Sequence, residues 1–136
     1  MGVDVIEAAE RRLWRRVMDR WAGEERIELL GDRDADRLAI ASFQIRAGGR
    51  RLHHNFVVAL FNDLFGIQAR GGCSCAGPYG HRLLGIDEAH SREFQEEIVL
   101  GWEGVKPGWA RLTINYFVSD AVARTCCPAT SPRPGA

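Results

Sequence analysis

Apolar residues in the first stretch of the chain recur at steps of three and four: Leu13, Trp14, Val17, Met18 and Trp21, preceded by Ile6, with arginines and acids between them. That period puts them on one side of a helix from Val3 to about Trp21, and Gly23 fits its end. In "RIELL" the period drops to two. Ile27 and Leu29 fall on one face and Arg26 and Glu28 on the other, which predicts a short strand. The charged segment "GDRDADR" is turn-prone, and "LAIASFQI" (Leu38 to Ile45) is almost continuously apolar. It predicts a second, more buried strand, antiparallel to the first.

After a turn at "AGGRR", Phe56, Val57, Leu60, Phe61 and Leu64 form a helical stripe, with Asn55 as its N-cap and Gly66 as its terminating glycine. "IQAR" (Ile67 to Arg70) reads as a brief strand, and "HRLLGI" as a single turn. A helix then runs from Ser91, its N-cap, through Phe94 and Ile98 to Gly101. "GWEGVKPGW" cannot continue a helix, but "ARLTINYF" alternates: Leu112, Ile114 and Tyr116 on one face, Arg111, Thr113 and Asn115 on the other. The order α-β-β-α-β-α-β predicts an α+β fold, a small mainly antiparallel sheet with helices packed on it. Residues 1–24 form a leading helix, 25–120 the small domain, and 121–136 a tail expected to be disordered, since "CCPATSPRPGA" is rich in proline and small residues.

Composition narrows the partners. At 136 residues one core is expected, and a formal net charge of +0 gives no basic footprint for nucleic acid. Charges interrupt the N-terminal segment throughout, so it has neither a signal-peptide core nor a membrane span. The chain is therefore expected to be cytoplasmic, with its 4 cysteines as thiols. Its only lysine, Lys106, is the one side-chain amine available for Schiff-base chemistry.

The chemistry concentrates in "ARGGCSCAGPYG" (69–80), which holds Cys73 and Cys75. Zinc sites usually space paired cysteines two to four residues apart, whereas here one residue separates them, and no metal site is expected even with His53, His54 and His81 in the chain. The two histidines before the helix are better read as partly exposed residues of its capping region. A Cys-x-Cys disulfide closes a strained ring, and the loop lacks the endings of phosphate-binding loops. Spacing alone leaves inert thiols and a nucleophile on a glycine-rich loop beside Arg70 both open. Arg111 sits near the start of a strand, on its polar face, and is either a surface residue or a bidentate grip for a carboxylate.

Taken together, "ERIELLG", "RLAIASFQI", "NDLFGIQARGGCSCAGPYG" and "KPGWARLTINYF" resemble the C-terminal portion of the class V aminotransferase group of pyridoxal-phosphate enzymes, which includes cysteine desulfurases and selenocysteine lyases. The most specific elements are Gly66, Ile67 and Arg70, followed by Cys75, Ala76 and Pro78, with Arg111 later. The resemblance implies that Cys75 is the sulfur-accepting nucleophile, that Arg111 holds the substrate α-carboxylate, and that Arg70 lies near the active site. Cys73 stands where the desulfurases usually carry histidine, a departure that bears on sulfur chemistry more than on fold. The resemblance further implies an amino-acid substrate and a small domain closing over pyridoxal phosphate held by a larger one. The cofactor lysine belongs to that larger domain, which is not in this sequence, and Lys106 does not match it. A truncated chain is thus expected, completed by the missing large domain or a homodimer partner. The alternatives are a catalytically silent chain that self-associates or binds a partner chain, and a thiol or metal-binding module.

Overall fold

The computed structural model describes residues 2–73 and 77–126. Its helices are α1 (Val3–Trp21), α2 (His54–Phe65), α3 (Gly77–Leu84), α4 (Glu88–Val99) and α5 (Asp120–Cys126). The strands are β1 (Ile27–Leu29), β2 (Ile40–Ala47), β3 (Arg50–Arg51), β4 (Arg70–Gly72) and β5 (Trp109–Thr113). They form one antiparallel sheet in the order β1-β2-β5-β4, with β3 paired to β2. The fold is α+β, as the alternation of periods predicts.

One face of the sheet is apolar and carries the core. Ala41, Phe43, Val57, Ala110 and Leu112 form one buried cluster, and Leu13, Val17, Ala39, Ile114 and Ala123 a second. Trp14, Met18 and Trp21 of α1 pack against both clusters, so the leading helix is integral to the domain. Phe43 is fully buried and meets Trp21 edge-on at 5.0 Å between ring centroids and Phe61 at 5.9 Å. Such contacts add to the area that aromatic rings remove from water.

Several boundaries move from their sequence-based positions for local reasons. β2 spans Ile40–Ala47, two residues later than its apolar run, because Leu38 is exposed while Ala39 is buried with α1. β2 then continues past the apolar run into an unforeseen hairpin with β3. Gly48 and Gly49, at φ 57° and 78°, give this hairpin the left-handed turn that two-residue connections favour. α2 starts one residue before Asn55, and its N-cap is His53, whose ring accepts from the Asn55 N–H. His54, Val57, Val58 and Phe61 set its inward face, so Phe56 and Leu64 of the expected stripe are 52% and 66% exposed. Gly66 ends the helix in the left-handed region, as read.

The later elements shift too. β4 occupies Arg70–Gly72 rather than Ile67–Arg70, and the expected single turn is a helix of 8 residues, α3. α4 begins before Ser91 because Asp87 caps it, accepting from the His90 N–H at 2.9 Å. α5 supplies two turns beyond residue 120, where the tail was expected to begin; residues 127–136, including Cys127, lie outside the described residues.

Two strands approach where only glycine fits. A Cβ on Gly108 would sit 2.7 Å from the Gly72 carbonyl carbon and 2.9 Å from its oxygen. A Cβ on Gly71, on the other side of β4, would meet Asn55 Oδ1 at 2.9 Å and His54 Cδ2 at 3.1 Å. Gly108→Ala is therefore expected to lower the urea midpoint by the equivalent of about 1–3 kcal/mol, as overpacking does. Gly23→Ala, with no atom within 4 Å, is expected to leave the midpoint nearly unchanged.

Candidate functional site

The pairing register places both sequence-predicted arginines. Arg70 of β4 lies directly opposite Arg111 of β5, and Arg111 lies opposite Ser42 of β2. Residues directly opposite on antiparallel strands share a face, with Cβ atoms about 4.5–5.5 Å apart. Ser42, Arg111 and Arg70 thus form one row across three strands, on the face opposite the core. Arg111 is half-buried and Arg70 exposed. Helix α2 lies against β4 and β5 from the other face, where Gly71 leaves room for His54 and Asn55.

A second arginine pair on the same face shows what such a pair requires. Arg46 of β2 and Arg51 of β3 are also directly opposite one another, and both bind Glu28 of β1. The Nη2 atoms lie 3.1 Å (Arg46) and 3.0 Å (Arg51) from its carboxylate oxygens. Partial burial pushes the Glu28 pKa up, but the hydrogen bonds and charges of Arg51 and Arg46 together outweigh it and hold the carboxyl below its ordinary value. Arg70 and Arg111 have no such carboxylate among the described residues. Like charges directly opposite are unfavourable, so an anion beside Arg70 and Arg111 would relieve their repulsion.

The surroundings of the row are polar and narrow. Gln44 Nε2 donates to the Gly108 carbonyl at 3.0 Å, one step along the strands from Ser42 and Arg111. Gln44 Oε1 and Trp109 Nε1 are buried with no hydrogen-bond partner among the described residues. β4 runs directly into Cys73, a half-buried free thiol. Cys75, the predicted nucleophile, lies outside the described residues, as do Ser74 and Ala76.

The remaining candidates lie elsewhere. His53 lies in the capping region as read and is itself the N-cap in place of Asn55, but His54 is buried at 7% exposure rather than partly exposed, its ring 4.2 Å from that of His53. Among the described residues no group of three or more His, Cys, Asp or Glu could hold a metal ion. Lys106 lies 3.6 Å from Glu103 Oε2 and lines a groove between α3 and α4 rather than the arginine row. No described helix is long and apolar enough to cross a membrane.

His54 braces Gly71, so its protonation reports on the site. Burial holds its pKa below the ordinary 6.5, and the charge of His53 adds to the effect. Above about pH 6.5 its contribution to stability is complete; as pH falls below that, the unfolded chain takes up the proton first and stability drops. His90, raised by its hydrogen bond to Asp87 and that residue's charge, works in the opposite direction, but it is exposed and screened. Urea denaturation at pH 7.5 and 5.5 is expected to show the loss, and His54→Gln to flatten it. A scan against protein-family models finds no match for the chain, and a search of curated proteins finds none either.

Proposed function

We propose that the chain is the small, substrate-closing domain of a cytoplasmic pyridoxal-phosphate enzyme of the class V aminotransferase type, acting on an amino acid by sulfur or amino-group transfer. The observation that carries this reading is the Arg70–Arg111 pair, which lacks the carboxylate that Arg46 and Arg51 find in Glu28. A substrate α-carboxylate supplies it. Guanidinium groups bind carboxylates through two parallel N–H donors, which fixes orientation as well as affinity.

The described residues do not themselves fit the cofactor. Their one lysine is paired with Glu103 away from the arginine row, so in this reading the cofactor belongs to a companion domain. When bound there, pyridoxal phosphate supplies the electron sink. This chain's part is to seat the carboxylate on Arg111, with Arg70 adding charge from the edge strand. In the same reading Cys75 takes the sulfur, and transamination is the variant that does without it.

A second reading, a silent chain that associates with itself, draws on exposed apolar side chains: Val99 at 79%, Trp102 at 63% and Phe117 at 71%. Exposed apolar side chains of this kind are available for contact with another chain. Sedimentation of the purified chain distinguishes the two: a concentration-independent monomer counts against self-association.

The carboxylate reading is tested by titrating the chain with L-alanine while following arginine side-chain resonances. Arg111→Gln is expected to weaken binding about tenfold or more, as loss of a charge-assisted contact does. Equal binding by the variant would remove the basis of the proposal. Adding a large-domain partner, pyridoxal phosphate and L-cysteine tests the sulfur branch, which fails if Cys75→Ala leaves sulfide release intact.

A further inference from the structure

We propose that the groove between α3 and α4 binds a small carboxylic acid with an apolar body, at a site separate from the arginine row. The helix pair is unusually unburied. α4 has no buried residue along its 12-residue length, and Gly80 is the only buried residue of α3. Amphipathic helices ordinarily sink their apolar stripe into a core. Here Leu84, Phe94 and Ile98 are half-buried and line an open groove of about 280 Å³ instead. That volume lies just below the usual range for small-molecule sites, about 300–1,000 Å³, which suits a short apolar body.

The polar groups of the groove set the charge of the ligand. Lys106 and His81 line it, together with the neutral Ser91, Gln95 and Cys73, and among the described residues no aspartate or glutamate does. Lys106 pairs with Glu103 only at 3.6 Å, between side chains 47% and 73% exposed. A surface contact of that kind holds an amine weakly, so Lys106 is free to turn toward an anion in the groove. The arrangement therefore pairs an apolar wall with a cationic rim. A monocarboxylate matches both, whereas an amine of the same body meets a like charge.

Cys73 makes the groove observable. In the full chain, alkylation by iodoacetamide is followed at Cys73 by peptide mass spectrometry, with octanoate or octylamine added. Octanoate is expected to slow modification of Cys73 and octylamine to leave it unchanged. Lys106→Gln, at a half-exposed position that does not support the core, is expected to raise the octanoate concentration for half-protection about tenfold, equivalent to about 1.4 kcal/mol. Ile98→Asp is expected to abolish protection. The proposal is overturned if octanoate gives no protection, if octylamine protects equally, or if Lys106→Gln is protected as well as the parent chain.

Discussion

The backbones of Gly72 and Gly108 come so close that no side chain fits between them. The placement of the edge strand β4 follows from that contact. It lets β4 draw up to β5, and the resulting register sets Arg70 opposite Arg111. On the other side of β4, the missing side chain of Gly71 lets α2 press its first turn onto the strand. The edge strand is three residues long, so little else fixes its position. Glycine here serves close approach more than conformational freedom: Gly71 and Gly108 stand at ordinary backbone angles, and only Gly72 has positive φ.

The sheet places two arginine pairs in similar cross-strand positions and provides for them differently. Beside Arg46 and Arg51, β1 brings Glu28 into the pairing, and a local triad results. Beside Arg70 and Arg111 the sheet ends, and no described strand lies beyond β4 to bring in an acid. Position in the sheet, rather than residue type, separates a pair that closes into a local ion cluster from one with no described carboxylate beside it. Exposed pairs of this kind add little to stability. Their significance is chemical.

Much of the architecture is legible in the sequence. The three- and four-residue period of α1 gives its bounds, because a long helix averages its signal over many positions. The short strands are harder. β4 carries two glycines and offers no apolar alternation, so its location depends on a contact with Gly108 thirty-six positions away that no local pattern records. Caps mislead in a similar way. Asn55 and Ser91 are good capping residues, but His53 and Asp87 lie where the backbone turns into the helix. Arg111 stands out in the sequence by its place after a Gly/Pro loop, whereas its pairing with Arg70 and Ser42 exists only once three distant segments assemble. The α3–α4 groove left no sequence signal, since Phe94 and Ile98 read as ordinary core positions of a helix.

The alternation of side chains across the sheet has a consequence for folding as well. Side chains alternate between faces, so sliding β4 by one residue against β5 would turn Arg70 from the open face to the face held by α2. There its Cβ would stand about where one on Gly71 would, 2.9 Å from Asn55 Oδ1 and 3.1 Å from His54 Cδ2. Crowding against α2 thus opposes the slipped register and helps to keep Arg70 opposite Arg111.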